Sequence, residues 1–254
     1  MADDVLVEQR DRILIITINR PAARNAIDAA VTSAVATAMD QLDERKDLSI
    51  GILTGAGGTF CAGMDLKAFL RGEQVALPGR GLAGFTQAPP KKPLIAAVEG
   101  YALAGGFELV LACDLVVAAE NATFGIPEVK RGLIAAGGGL LRLPRRIPQN
   151  LAMEYALTGE FFSAPDAQRF GLVNRVTPEG GALDGAIELA ERITANAPLS
   201  IAASKEVITA SADWTAENMW DRQQEILQPI FGSADAREGA SAFAEKRAPV
   251  WRGE

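Results

Sequence analysis

The 254-residue sequence contains no histidine. This absence excludes Ser-His-Asp and Cys-His nucleophile systems, most zinc and non-haem iron sites, and the commonest general base of enzymes. Acid–base chemistry in this chain therefore depends on carboxylates, lysine, tyrosine or backbone groups. No metal site is expected.

Cysteine is scarce. The two cysteines, Cys61 and Cys113, lie far apart in sequence and inside apolar segments. So few cysteines argue against a disulfide framework or a cysteine-based zinc site. The sequence therefore predicts two reduced, buried thiols.

An excess of positive charge is also missing, because 25 Lys and Arg face 32 Asp and Glu. A net charge of −7 argues against nucleic acid or an anionic membrane as the main partner. No uncharged apolar run is long enough to span a bilayer, and the start at Met1 lacks the pattern of a signal peptide. A cytoplasmic protein is expected.

What the sequence has in quantity is apolar residues, at 48%, which suffice for one large core or a core with a helical appendage. Short aliphatic runs separated by helix-length stretches predict an α/β fold. The predicted strands are 13–18, 49–55, 93–98, 114–119 and 172–176. Helices are predicted from the N-cap Asp28 to Glu44 and, towards the end of the chain, at 182–196, 200–211, 215–228 and 234–246.

Residues 71–93 carry four prolines and four glycines, which predict a mobile loop or lid, with an idle surface loop as an equal alternative. The glycine-rich turn 54–59 lacks the Gly-Lys-Ser/Thr ending of a P-loop and the full dinucleotide fingerprint. A tight connection is favoured there over a phosphate site.

Three glycine-containing turns are candidates for a site. In FCAGMDL (60–66), either Asp65 caps a helix or free backbone N–H groups face a ligand oxygen. Gly105 and Gly106 precede the apolar stretch FELVLA, and a helix N-terminus there would offer further N–H donors. Gly137–Gly139 open a third stretch that is predicted to be helical, for which close helix packing is favoured over ligand contact.

Two glutamates stand out. Glu108 lies in the first turn of the apolar FELVLA stretch, and Glu128 follows Pro127 in TFGIPEV. The ordinary interpretation of Glu108 is that it complements the helix dipole or pairs with an arginine. The functional interpretation is an acid or base in an apolar pocket.

Taken together, FCAGMDL, GYALAGGFEL and FGIPEVKRGLIAAGGG resemble the enoyl-CoA hydratase/isomerase, or crotonase, superfamily. The resemblance extends from NRPAARNAID through SAPDAQRFGLVNRV to AFAEKRAPVW. It implies a ClpP-like spiral of ββα units over residues 1–195, which contains the active site. A helical oligomerisation region over 196–254 would then give homotrimers or hexamers.

The resemblance also assigns residues. The oxyanion hole would be the backbone N–H groups of Met64 and Gly105, and Glu108 and Glu128 match the two catalytic glutamates of the hydratase branch. An acyl-CoA substrate is implied, with no separate cofactor. The residues that match the CoA-binding positions are Arg24 and Ala26 for pantetheine or phosphate, Ala62, Asp65 and Leu66 for adenine, and Lys246 from an adjacent subunit.

Retention of both glutamates favours hydration of a 2-enoyl-CoA. The alternatives are an isomerase or decarboxylase that uses Glu128 alone, a non-catalytic acyl-CoA-binding member and, more remotely, a nucleotide-dependent oxidoreductase. LRLPRRIP and the FAEKRAPVW ending resemble crotonobetainyl-CoA hydratases and actinobacterial-type enoyl-CoA hydratases. Ala135 stands where the family often has proline, so the acyl group stays open.

Overall fold

The computed structural model describes residues 3–254, which alternate between strands and helices along the chain. The strands are β1 Val5–Arg10, β2 Ile13–Ile18, β3 Ile50–Gly55, β4 Ala76–Leu77, β5 Gly81–Leu82, β6 Leu94–Val98, β7 Tyr101–Leu103, β8 Leu115–Ala119, β9 Thr123–Gly125, β10 Phe162–Ser163 and β11 Arg175–Thr177. The helices are α1 Ala29–Glu44, α2 Leu66–Leu70, α3 Gly105–Ala112, α4 Gly139–Arg146, α5 Gln149–Thr158, α6 Ala164–Arg169, α7 Ala182–Thr194, α8 Pro198–Ala210, α9 Met219–Phe231 and α10 Ala234–Glu245.

The main sheet has the strand order β1-β2-β3-β6-β8-β11. β1 pairs with β2 in antiparallel fashion, and every later pair is parallel. Alternate side chains of one strand enter different cores: Ile13 and Ile15 pack with α7, whereas Leu14 and Ile16 pack with α1. Apolar residues on both faces of the parallel strands are what the continuous aliphatic runs predict.

A small sheet of the order β10-β9-β7 lies beside the main one. Behind it, the rings of Phe107, Phe124 and Phe162 pack with centroids 5.5 to 5.7 Å apart. Aromatic pairs at this spacing stabilise beyond their buried area. The cluster fixes α3 against β7 and β9, and so fixes the turn that joins β7 to α3.

The predicted elements are largely confirmed, including the cap of α1, where an Asp28 carboxylate oxygen accepts a hydrogen bond from Val31 N at 2.9 Å. β1 was not predicted, because five of its six residues are exposed at the sheet edge. The last strand is 175–177 rather than 172–176, and α9 begins at Met219 rather than at 215.

The prediction of a mobile or surface loop at 71–93 is wrong for residues 81–86. β4 and β5 form a hairpin, and residues 81–86 are buried. Arg80 fastens this segment to α1, because its guanidinium donates to the Ala36 carbonyl and pairs with Asp40 at 2.8 Å. Residues 81–86 are therefore packed against α1 rather than mobile, whereas Gly72, Pro78, Gly79 and Pro89 are exposed.

Both cysteines are free and buried, as predicted. Burial raises the pKa of both thiols, that of Cys61 to about 12. Of the helices in residues 3–254, none has the length and hydropathy needed to cross a membrane. The division at 195/196 stays a prediction.

Candidate active site

A cleft with a volume of about 470 Å³ opens between the turn before α2, the N-terminus of α3 and the turn that carries Glu128. Seven of the ten predicted site residues line it: Arg24, Ala62, Met64, Leu66, Gly105, Glu108 and Glu128. The sequence motifs around residues 60, 105 and 128 thus meet in one place, although about 65 residues separate the first from the last.

Two backbone donors lie side by side in the cleft. Within residues 3–254, neither Met64 N–H nor Gly105 N–H donates to a protein acceptor. A Cβ atom built on Gly105 would stand 3.5 Å from the Met64 nitrogen. Two adjacent N–H groups of this kind can bind one ligand oxygen and stabilise negative charge on it.

The backbone around these donors is constrained. Ala104, the residue before Gly105, has φ 51° and ψ −127°, and its methyl group faces Gly63, which has φ 100°. An alanine at positive φ is strained by on the order of 1–3 kcal/mol. The bond from Ala104 N to the Gly125 carbonyl, at 2.8 Å, helps to hold it there.

Gly106 explains why the motif has paired glycines. A Cβ atom on Gly106 would lie 2.1 Å from the Cys61 carbonyl oxygen, so α3 approaches the FCAGMDL turn too closely for any side chain. This contact brings the two donor turns together.

Glu108 is buried in the wall of the cleft, with 3% of its surface exposed. Burial raises the pKa of its carboxyl group to about 7, and the charge of Glu128 acts in the same direction. A hydrogen bond from Gly139 N to Oε1, at 2.8 Å, opposes the shift. The carboxyl group is therefore near its titration midpoint at neutral pH.

The glycines at the start of α4 serve this carboxyl group. Besides the bond from Gly139, a Cβ atom on Gly137 would stand 2.7 Å from Glu108 Oε2. The close packing predicted for Gly137–Gly139 is present, and the partner is the Glu108 carboxyl group. Small residues are required wherever backbone approaches a side chain this closely.

Glu128 lies on the 3-10 turn Pro127–Arg131 and lines the same cleft. Burial raises the pKa of its carboxyl group, and the nearby Arg131 moderates the shift. Its Oε2 atom is buried and bonds to no group of residues 3–254. A buried carboxyl oxygen with unused bonding capacity is suited to hold a substrate atom or a water molecule.

Three predicted CoA-binding residues do not line the cleft: Ala26, Asp65 and Lys246. The Asp65 carboxylate caps α2 and accepts a hydrogen bond from Arg20 at 3.1 Å. Of the two interpretations of this turn, the helix cap is therefore the one found for Asp65. Ala26 is buried, and Lys246 ends α10 with its side chain exposed. The CoA roles of the six residues and the catalytic roles of the other four stay predictions.

Sequence reasoning missed several contributors. Arg20 joins Asp28 to Asp65 across 37 residues of chain, at 2.9 and 3.1 Å. Arg142, one turn after Gly139, donates to the Thr86 carbonyl and has its charge near Glu108. The spacing of Arg142 from the glycines was visible in LLRLPRRI, but no local pattern identifies the carbonyl it binds.

Comparisons with known proteins agree with this architecture. The sequence model of the family described as enoyl-CoA hydratase/isomerase matches residues 8–254. The crystal structure of enoyl-CoA hydratase EchA1 from Mycobacterium marinum has 64% sequence identity and a TM-score of 0.98, over 99% of this chain and 100% of that one.

Two curated relatives are each 43% identical. They are enoyl-CoA hydratase EchA19 of Mycobacterium tuberculosis, over 97% of this chain and 95% of its own length, and carnitinyl-CoA dehydratase of Salmonella typhi, over 100% of both. The family match and the sequence identities all extend over nearly the whole chain. The chain therefore belongs to the enoyl-CoA hydratase/isomerase family and has the crotonase fold.

Proposed function

We propose that this protein is an enoyl-CoA hydratase, which adds water reversibly to a 2-enoyl-CoA thioester and gives a 3-hydroxyacyl-CoA. The observation that carries the proposal is the meeting of the buried Glu108 and the half-buried Glu128, whose Oε2 atom is buried, with two unused N–H donors in one cleft. The names of relatives at 43 to 64% identity support the same activity.

In this proposal the thioester carbonyl oxygen binds the N–H groups of Met64 and Gly105. As the nucleophile adds at Cβ, negative charge moves onto that oxygen, where the two donors stabilise the enolate. Loss of one such donor typically costs about 3 to 4 kcal/mol of activation free energy. Only the backbone of Met64 is needed, so its side chain is free to vary.

The carboxyl groups handle the water. Glu108 and Glu128 hold one water molecule. The ionised carboxylate of Glu108 accepts a proton from this water as its oxygen bonds to Cβ, Glu128 delivers its own proton to Cα, and transfer of the captured proton from Glu108 to Glu128 restores both groups. The sum is one water added across the double bond. A pKa of about 7 for Glu108 keeps both its protonated and its ionised forms available near neutral pH.

The cleft suits this substrate without any additional cofactor. Its walls include apolar side chains such as Leu82 and Phe69, and Arg24 stands among the lining residues where a phosphate or the pantetheine arm can pass. We place Ala26, Ala62, Asp65 and Leu66 near the CoA moiety as well.

Assembly into a homotrimer or hexamer is part of the proposal. Large apolar side chains are exposed on the last two helices, including Trp220, Phe231 and Phe243. Exposed apolar surface of this kind marks an interaction site. Lys246 would then reach a CoA phosphate bound to the adjacent subunit.

The test mixes purified protein with crotonyl-CoA, follows the absorbance of the conjugated thioester and identifies the product by mass. We expect absorbance to fall as the product gains one water. Glu128→Gln should lower kcat by about 10²- to 10⁴-fold, the usual contribution of a general acid or base. Glu120→Gln, at an exposed position, is the matched control.

The same assay, repeated with a carboxylated thioester, separates the alternatives. Migration of the double bond without uptake of water identifies an isomerase, and loss of carbon dioxide from a carboxylated thioester identifies a decarboxylase. A rise in melting temperature with CoA thioesters and no turnover identifies a binding protein. Full activity of Glu128→Gln contradicts the assigned acid.

A further inference from the structure

A second cavity, of about 250 Å³, lies next to the cleft, between the Glu128 turn, the start of α4 and α5. We call it the side pocket. Its lining residues are Ile126, Glu128, Val129, Ile134, Ala135, Leu140, Met153, Ala156 and Leu157.

The side pocket adjoins the cleft directly. Glu128 and Ile134 line both cavities, so these two side chains form the partition between them. The side chain of Ile134 is loosely packed, since 66% of the residue surface is exposed. Exposed side chains change rotamer within nanoseconds, and such a change would connect the two cavities.

The chemistry of the side pocket is aliphatic. Apart from the carboxyl group of Glu128, its lining consists of hydrocarbon side chains and one thioether. Proteins bind quaternary ammonium groups with cages of aromatic rings, and none of the lining residues, all within the described part of the chain, is aromatic.

The cleft itself has two aromatic side chains in its lining, Phe69 and Phe161, beside the carboxyl groups of Glu108 and Glu128. Among its lining residues, Phe161 already has the ammonium group of Lys130 at 6.0 Å from its ring centroid. The lining also contains the cations Arg24 and Arg131. These residues do not form the cage of aromatic rings that would bind a permanent positive charge, such as that of a carnitinyl group.

Size indicates what the pocket can hold. A molecule of liquid water takes up about 30 Å³ and a methylene group is of similar size, so a volume of about 250 Å³ corresponds to about eight carbon atoms. A straight or branched medium-length hydrocarbon tail fits this volume.

We infer that the side pocket is the subsite for the hydrocarbon tail of a medium-chain 2-enoyl-CoA, and that the chain passes Glu128 and displaces Ile134 to enter it. This inference rests on the proposed hydratase function. In this inference α5 determines the preference for acyl-chain length, through Met153, Ala156 and Leu157.

The test compares kcat/KM for crotonyl-CoA and trans-2-decenoyl-CoA. Ala156→Phe fills the pocket from α5. Because each buried methylene group contributes roughly fourfold to binding, excluding several should lower the decenoyl-to-crotonyl ratio at least tenfold. Ala30→Phe, the same change at an exposed position of α1, should leave the ratio unchanged.

A second variant acts in the opposite direction. Ile134→Ala removes the side chain that separates the cavities. Because this side chain is exposed, its removal should not impair folding. The decenoyl-to-crotonyl ratio should then rise severalfold. Light scattering on both variants checks that the subunit number is that of the wild type.

Three results would overturn the inference. The first is an unchanged ratio in both variants. The second is a parallel loss of both substrates in Ala156→Phe with a changed subunit number, which would show that a neighbouring subunit occupies the pocket. The third is wild-type preference for a charged acyl group. If the wild type hydrates neither thioester, the proposed function fails as well, and that result is recognisable by the inactive crotonyl-CoA control.

Discussion

At the scale of single residues, the catalytic role proposed for Glu108 is accompanied by a cost in stability. Its buried carboxyl group accepts a hydrogen bond from Gly139 and has the charges of Glu128 and Arg142 nearby. Burial raises its pKa from 4.5 to about 7 in the folded protein. Between these two values the folded state retains a proton that the unfolded chain has released, so the free energy of unfolding falls as pH rises through this window.

This cost predicts that Glu108→Gln is stabilising at alkaline pH. Glutamine keeps an oxygen for Gly139 N–H and never ionises. One pKa unit corresponds to about 1.4 kcal/mol. The free energy of unfolding of the variant should therefore exceed that of the wild type by about 3 kcal/mol at pH 8 and by little at pH 4 to 5. Urea denaturation at both pH values, at equal protein concentration, measures the difference.

We also expect Glu108→Gln to hydrate crotonyl-CoA much more slowly than the wild type at every pH. Glu120→Gln serves again as the control and should follow the wild-type stability at both pH values. A Glu108→Gln protein no more stable than the wild type at pH 8 would show that the carboxyl group is well solvated.

At the scale of elements, the two donor turns depend on one close contact between α3 and the turn before α2. Any side chain at Gly106 would overlap the Cys61 carbonyl oxygen, which belongs to the backbone and cannot rotate away. The relative position of the Met64 and Gly105 amides is therefore a property of how α3 docks.

We expect Gly106→Ala to separate the donors. Overpacking of this kind costs about 1–3 kcal/mol of stability, and a misplaced donor costs about 10²- to 10³-fold in kcat. Crotonyl-CoA turnover and the urea midpoint measure both effects. Gly232→Ala, whose new methyl group would meet no atom closer than 3.7 Å, is the matched control. Wild-type kcat in Gly106→Ala would mean that the contact is dispensable.

The same elements show what the sequence can predict. Long aliphatic runs predict the parallel strands, because strands buried on both faces need apolar residues throughout. Strands of two or three residues, such as β7 and β10, have too few residues for a pattern. Asp65 illustrates a different limit: its carboxylate is bound by Arg20, 45 positions away, and such a partner cannot be read from local spacing.

At the scale of the whole molecule, the C-terminal helices differ from the sheet region. α7 packs on the main sheet, whereas α9 has no buried residue. The tail that follows α10 folds back, with Arg252 N and Gly253 N donating to the Asp235 carboxylate at 2.7 and 2.9 Å. The helices are thus ordered, but an apolar surface remains for a partner.

We predict that this surface joins subunits. Light scattering should give three or six times the chain mass of 26.8 kDa. Phe243 is 88% exposed, and Phe243→Glu should reduce the mass and raise KM for CoA thioesters if Lys246 acts across the interface. Ser241→Glu adds the same charge on the same helix, about 200° around its axis, and should do neither. A monomeric wild type would contradict the prediction.

The burial of Cys61 and Cys113 has a practical consequence. Thiolates, not thiols, react with alkylating reagents, and both native thiols are inaccessible and have raised pKa values. A single cysteine introduced on the surface would thus be the one rapidly labelled position in the wild-type background. A fluorophore at the mouth of the cleft would report ligand entry by its emission, in an enzyme that needs no prior removal of native cysteines.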